Sequence, residues 1–286
     1  MNKKNSLSPL RYPGGKGVLN RWMEGLFLQN NLVGGTYAEP YAGGAGLAFF
    51  LLINNLANKI IINDSDMAIY AIWHSILNNT DEFLLRINRS DISLEEWDKQ
   101  KTITLSPEKH SLLDLGFAAF FLNRTNVSGV IKGGPIGGKN QNGKYSMDCR
   151  FNKPALIEKV KLLASRRHDI TLTNYDAIEF IDKIGVHLEK KSLIYFDPPY
   201  YVKGSQLYRN FYKHDEHRLV SENIKKIKTP WLLTYDNCPE IQELYKDCTG
   251  FDFSLRYSAS LKQKTIGREL MYYRNIDSIN KPQLVA

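Results

Sequence analysis

Asp197-Pro198-Pro199-Tyr200 is the stretch of this chain whose residue types point most directly to chemistry, and it directly follows the apolar run Leu193-Ile194-Tyr195-Phe196. It offers a carboxylate, a rigid turn and an aromatic face. A carboxylate and a main-chain carbonyl can each accept one N–H of an exocyclic amine, while an aromatic ring covers the face of the planar base that carries it. Such an amine is a poor nucleophile, because its lone pair is delocalised into the ring. Acceptors on its hydrogens turn the pair outward and stabilise positive charge as a methyl group arrives. Proline fixes φ, so the turn keeps its acceptors in place with little freedom left to lose.

A second group of residues offers a place for a nucleoside. Thr36-Tyr37-Ala38-Glu39-Pro40 reads as a strand that empties into Tyr41-Ala42-Gly43-Gly44-Ala45-Gly46, and Leu47 to Ile53 reads as a buried helix. Strand, glycine loop and helix open a nucleotide-binding βαβ unit. The next strand, Lys59 to Asn63, ends at Asp64. That acid stands about twenty residues beyond Gly43, the spacing of a ribose ligand. The glycine cluster does not spell GxGxxG, so a nucleoside-containing cofactor is expected without its kind being fixed, NAD being the usual first thought. Arg11-Tyr12-Pro13-Gly14-Gly15-Lys16-Gly17 has the look of a phosphate loop, yet it lacks the first glycine at the required spacing and has Gly17 where Ser or Thr would hold magnesium. An NTPase is excluded.

These residues need a scaffold. Apolar runs at Ile170 to Thr173, Ser192 to Phe196 and Pro230 to Tyr235 alternate with helical stretches, which predicts an α/β fold with a mostly parallel sheet. From residue 67 to 167 helix signals dominate and the strand rhythm disappears. The sequence therefore predicts a catalytic domain formed by residues 1–66 and 168–286, with residues 67–167 as an inserted helical domain. Ser93 with Glu96 predicts a capping box, and Ser106-Pro107 predicts the start of a helix running through Leu112 to Leu122 and stopping at Asn123-Arg124. The following stretch, Asn126 to Tyr145, is rich in glycine, lysine and side-chain amides. It suits reading base edges or embracing phosphates, although its composition equally describes a surface loop. Phe251 to Tyr257 and Glu269 to Arg274 predict a terminal hairpin that completes the sheet.

The bulk numbers agree with that scaffold. A chain of 286 residues that is 43% hydrophobic can bury a full core, and its net charge of +8 favours a polyanionic partner. Cys149, Cys238 and Cys248 show no CxxC spacing, so neither a metal site nor a disulfide framework is expected. No run reaches the roughly 18 to 20 apolar residues of a membrane span, and a reducing cytoplasm is the expected location.

The motifs Arg11 to Lys16, Glu39 to Gly46, Asn63-Asp64 and Asp197 to Tyr200, in this order, resemble those of Dam-like, alpha-class adenine-N6 DNA methyltransferases. The resemblance spans most of the chain and includes Phe121-Leu122-Asn123-Arg124 leading into Ser128-Gly129, which looks like the start of that family's target-recognition segment. It implies a Rossmann-like methyltransferase sheet with an antiparallel terminal strand and S-adenosylmethionine across its carboxyl edge. The implied cofactor residues are Tyr12, Lys16, Glu39, Pro40, Tyr41, Ala42, Gly43, Gly44, Ala45, Gly46, Asp64, Tyr175, Asp176 and Asp197. Among them Asp64 would hold the ribose, Asp176 the cofactor adenine and Lys16 the cofactor carboxylate. Asp197 and the Pro198 carbonyl would grip the target amine, Pro199 would stiffen the turn and Tyr200 would stack on the base.

A base inside a duplex cannot enter such a pocket, so the resemblance also implies a flipped adenine, at a cost of a few kcal/mol. Tyr201, Tyr208, Phe211 and Tyr212 are candidates to close the pocket, and Lys203, Arg209, Lys213 and His214 to contact phosphates. Arg124, Asn126, Ser128 and Lys132 are the candidates for recognising double-stranded DNA, with Lys132 as base reader. A restriction endonuclease encoded elsewhere is a possible partner. Cytosine-N4 methylation, RNA methylation and a catalytically silent DNA-binding regulator are the alternatives.

Overall fold

A computed structural model of the chain describes residues 7–12, 14–189, 191–202, 212–257 and 265–282. The chain divides into two compact units, Met1–Pro13 with Asp66–His168, and Gly14–Ser65 with Asp169–Ala286. The amino-terminal segment thus groups with the helical unit and not, as the sequence predicts, with the domain of residues 1–66 and 168–286.

The second unit is built on seven strands: β1 (Gly35–Glu39), β2 (Ala57–Asn63), β3 (Ile170–Thr173), β4 (Ser192–Phe196), β5 (Trp231–Asp236), β6 (Thr249–Tyr257) and β7 (Thr265–Arg274). They lie in the order β3-β2-β1-β4-β5-β7-β6. β1 to β5 pair in parallel, and β7 runs antiparallel between β5 and β6. This is the expected mostly parallel α/β sheet with an antiparallel final strand. Strand β4 is buried along its whole length, which its uninterrupted apolar run requires of a central parallel strand covered on both faces. Ala38, Ile194, Phe196 and Leu233 from the sheet form one core with Phe180, Val220, Ile224 and Ile241 from flanking helices. The chain leaves β1 towards β2 and β3, then returns to place β4 on the other side of β1. Strand order reverses there, opening a crevice at the carboxyl ends of β1 and β4.

The helical unit contains α3 (Met67–Asn78), α4 (Thr80–Arg89), α5 (Leu94–Leu105), α6 (Leu112–Thr125) and α7 (Lys153–Ala164), numbered after α1 (Asn20–Gln29) and α2 (Gly46–Ile53) of the sheet unit. α3 and α6 approach so closely that a Cβ at Gly116 would lie 2.3 Å from the Ala71 carbonyl oxygen. Phe83, Phe117, Phe120, Phe121 and Phe151 fill the unit with tilted and edge-on ring contacts. The Ser93 hydroxyl accepts from Glu96 N, while the Glu96 carboxylate turns to Gln100 instead of closing the box. The helix predicted from Ser106-Pro107 begins later. Pro107–Lys109 makes only a 3-10 turn, and Ser111 is the true cap, accepting from Asp114 N. Among the described residues no helix is long and apolar enough to cross a membrane.

Candidate active site

Asp197 emerges directly from β4 at the crevice, about one-fifth exposed (22%). Its Oδ1 accepts from Lys16 Nζ at 2.6 Å and from Thr234 Oγ1 at 2.9 Å, and the Thr234 hydroxyl is 2.7 Å from the Tyr195 hydroxyl. Among the described residues both bonds fall on Oδ1, which leaves Oδ2 open to a donor. Lys16 is buried and its Nζ also lies 3.4 Å from the Tyr200 hydroxyl and 3.8 Å from Glu269 Oε2. Burial works against its charge, but Asp197 and Glu269 outweigh burial and hold the ammonium well above its ordinary pKa. Tyr200 is buried, donates its hydroxyl to Glu269 and has Lys16 Nζ 5.3 Å from its ring centre. Asp236, at the end of β5, accepts from Tyr201 N at 2.8 Å and Val202 N at 2.9 Å, so the backbone leaving Pro198, Pro199 and Tyr200 is clamped as well.

Across the crevice the loops after β1, β2 and β3 are joined through one buried side chain. Asn63 donates to the carbonyls of Pro40 at 2.8 Å and Tyr175 at 2.9 Å, and accepts from Thr173 Oγ1 and Tyr175 N, each at 2.8 Å. A fully satisfied buried amide of this kind fixes three loops relative to one another. Asp64 Oδ2 accepts from Gly43 N at 2.8 Å, which ties the ribose-spaced acid to the glycine loop. Ala42 N donates to the Asn63 carbonyl, Gly44 is buried, and Ala45 takes the left-handed φ of 46° that turns the loop into α2 at Gly46. Glu39 is buried, where its Oε1 accepts from Tyr37 and from Ala48 N of α2. Burial pushes its carboxyl up to about 8, so it braces strand to helix as a largely protonated group near neutrality. Asp176 is exposed and caps the helix α8 (Ala177–Lys183) through bonds from Ile178 N and Glu179 N. Tyr175 has Lys183 Nζ over its ring at 4.6 Å, and the Tyr41 hydroxyl meets that of Tyr212 at 3.1 Å. Tyr12 belongs to the helical unit.

The helical unit presents a different constellation. Asn123 holds both backbone groups of Arg11, accepting from its N at 2.9 Å and donating to its O at 2.7 Å, and donates to the Gly129 carbonyl at 2.9 Å. Arg124 Nε donates to the Arg150 carbonyl at 2.8 Å and Nη1 to that of Pro9 at 3.1 Å. Burial, with Arg11 and Arg150 nearby, lowers its pKa to about 10. Lys159 Nζ donates to the Ser8 carbonyl, and its pKa is lowered by burial and by Arg124. Among the described residues none of Arg11, Arg124, Arg150 and Lys159 has a carboxylate partner. Ser128 sits at φ 55° in a tight turn, and Lys132 is exposed. Asn126 corrects the sequence reading, because it is fully buried. Its amide accepts from Trp97 Nε1 at 2.6 Å and donates to the carbonyls of Val130, Ile131 and Gly133, so it shapes the glycine-rich loop from within.

Sequence reasoning missed Thr234, Asp236, Asn63 as a staple, Glu269, and the cations Arg11, Arg150 and Lys159. Lys203, Tyr208, Arg209 and Phe211 lie outside the described residues, as does Pro13. No group of three or more His, Cys, Asp or Glu able to hold a metal occurs among the described residues.

A mostly parallel sheet with a glycine loop and an acid after its first two strands, and a carboxylate after the strand across the switch point, defines a Rossmann-like fold. Residues 12–261 match the model for D12 class N6 adenine-specific DNA methyltransferases, and the chain belongs to that family. A curated relative, the Type II methyltransferase M.MjaIII of Methanocaldococcus jannaschii, is 24% identical over 178 residues, which cover 57% of this chain and 58% of the relative. The chain thus spans little more than half of that relative's length. Among solved structures it is similar to a candidate RNA methyltransferase from Pyrococcus horikoshii, with TM-score 0.44 and 12% identity over 92% of this chain and 84% of the other. A candidate class I S-adenosylmethionine-dependent methyltransferase from Listeria monocytogenes gives 0.39 and 10% over 93% and 62%. Both structural likenesses are loose, and the family assignment rests on the family model.

Proposed function

We propose that the protein transfers a methyl group from S-adenosylmethionine to the N6 amine of an adenine flipped out of duplex DNA. The observation that carries this reading is the state of Asp197, whose Oδ1 is fixed by Lys16 and Thr234 while Oδ2 meets no donor among the described residues. The loop after β1 supports a donor there, since Gly43 and Gly44 carry no side chain to hold a ligand off the backbone, Ala45 is left-handed, and the ribose-spaced Asp64 is tied to that loop. When bound, S-adenosylmethionine supplies an electrophilic methyl carbon on a sulfonium. Tyr41 to Gly46, Asp64 and the segment Tyr175-Asp176 would hold it.

Asp197 Oδ2 accepts one N–H of the target amine and the Pro198 carbonyl the other, which directs the nitrogen lone pair away from the base. Lys16 and Thr234 prevent the carboxylate from rotating, and Asp236 keeps the turn from opening. Tyr200 covers the base. The proton leaves after the methyl has arrived, so Asp197 need not be a strong base beforehand. In this reading the sheet unit is catalytic and the helical unit recognises DNA, with Arg11, Arg124, Arg150 and Lys159 facing phosphates and Ser128 and Lys132 as candidates at the bases. Work on cytoplasmic DNA, protecting its target word from a restriction endonuclease encoded elsewhere, completes the reading.

The test is incubation of the protein with methyl donor and unmethylated duplex DNA, followed by mass identification and mapping of the modified nucleoside. N6-methyladenine at a defined word is expected. N4-methylcytosine would overturn the choice of base, preference for RNA in competition would overturn the choice of nucleic acid, and binding without turnover would favour a silent regulator.

A further inference from the structure

Among the described residues, Glu269 is the carboxylate beside Lys16 to which the reaction as described gives no task. It lies on β7 opposite Asp236 of β5, so the antiparallel insertion of β7 beside β5 delivers it to the back of the amine site. It is fully buried. A carboxylate in that position is tolerated only when donors and charge meet it. Among the described residues the Tyr200 hydroxyl does so by donating to Oε1, and Lys16 Nζ does so at 3.8 Å from Oε2.

The arrangement has a consequence for Asp197. A lysine paired with Asp197 alone would draw electron density from the carboxylate that must accept the substrate amine. With Glu269 on its other side, one ammonium is shared between two carboxylates, and the ionised cluster keeps net negative charge where the methylated nitrogen becomes cationic. The bond to Tyr200 also fixes the ring at its hydroxyl end, so the same carboxylate orients both the stacking ring and the lysine.

We propose that Glu269 is a positioning residue for methyl transfer, holding the Tyr200 ring and the Lys16 ammonium so that Asp197 keeps its open oxygen aimed at the incoming amine. This rests on reading the site as an amine methyltransferase. It assigns Glu269 an effect on the chemical step and not on binding.

The experiment compares the full chain with Glu269→Gln, which keeps the size of the side chain and an acceptor for Tyr200 but removes the charge. With duplex DNA and S-adenosylmethionine, kcat should fall by about tenfold or more while KM for DNA and donor affinity stay within about threefold. Glu269→Asp, which restores the charge on a shorter arm, should recover part of the loss. A Glu269→Gln protein with kcat within about twofold of wild type overturns the inference. So does a loss confined to KM. If thermal melting shows that Glu269→Gln does not fold, Tyr200→Phe cuts the same link from the other side, and wild-type kcat in that variant overturns the inference equally. A wild-type chain that yields no methyladenine removes the underlying reading, whereas an active wild type with an equally active Glu269→Gln removes only this inference.

Discussion

The two units handle charge in opposite ways. In the sheet unit Lys16 is buried between Asp197 and Glu269, with Asp197 Oδ1 at 2.6 Å and Glu269 Oε2 at 3.8 Å from its Nζ. In the helical unit Arg11, Arg124 and Lys159 donate to backbone carbonyls beside the exposed Arg150, and none of the four has a carboxylate partner among the described residues. A paired buried charge is fixed in direction and serves a reaction that depends on where one lone pair points. An unneutralised group of cations raises the local positive potential and serves a partner whose charge matters more than its exact atoms. The first region should therefore respond to changes of shape by losing rate, and the second should respond to changes of charge by losing salt-sensitive affinity.

The largest effect tests the first half of that contrast. Asp197→Asn keeps the size of the side chain but replaces one carboxylate oxygen by an amide donor. Methylation should fall by roughly 10²–10³-fold, while donor affinity measured by calorimetry changes only slightly. Near-normal turnover would remove the role given to that carboxylate. Next comes Asn63→Ala, which breaks four hydrogen bonds and leaves the groups around them short of partners. The expected loss is about 2–4 kcal/mol of unfolding free energy, read from the denaturant midpoint, together with weaker donor binding. An unchanged midpoint would mean that the three loops hold themselves without the staple.

Much of the first region was legible in the sequence and much of the second was not, for physical reasons. β4 and Asp197 are adjacent in the chain, and the step from β1 through the glycine loop to Asp64 is local, so order and spacing carried them. Glu269, Thr234 and Asp236 join the site only through the register of β5 against β4 and β7, which no short-range pattern encodes. Asn126 was misread because a polar residue in a glycine-rich stretch looks exposed; the carbonyls of that tight loop needed a donor from inside, and Asn126 supplies it. The start of α6 was within reach, since Ser111 and Asp114 have the spacing of a capping pair and outweigh Ser106-Pro107.

His217 sharpens the contrast, because it shows what the sheet unit does with a charge it does not pair. It is buried, with Nδ1 2.8 Å from the Tyr235 hydroxyl and the rings of Tyr201 and Tyr212 at 5.0 and 5.3 Å. Burial pushes its pKa down to about 4 from 6.5, against the opposing pull of Glu216. The unfolded chain therefore binds more protons between those values. The stability contributed by neutral His217 is fully present above pH 6.5 and is lost as pH falls towards about 4, by about 3 kcal/mol at most. Urea unfolding at pH 7 and pH 5 should show His217→Phe losing less stability on acidification than the wild type. Equal losses would assign the acid sensitivity to other groups.

The smallest effect tests the second half directly. Arg150 is exposed, and its backbone carbonyl, not its guanidinium, is the group that Arg124 uses, so Arg150→Gln removes a cation without touching that bond. If the cluster meets phosphates, each lost contact lowers the slope of log K against log salt for duplex binding by about 0.9. Lys281 is the control, since it is exposed in the sheet unit and paired with Asp252 at 2.9 Å. Lys281→Gln should leave the slope alone. A slope reduced by Arg150→Gln and not by Lys281→Gln means that a cation counts towards DNA where the fold has left it unneutralised; equal slopes in all three proteins would leave the cations of the helical unit with a folding role alone, and the contrast between the two units would fail.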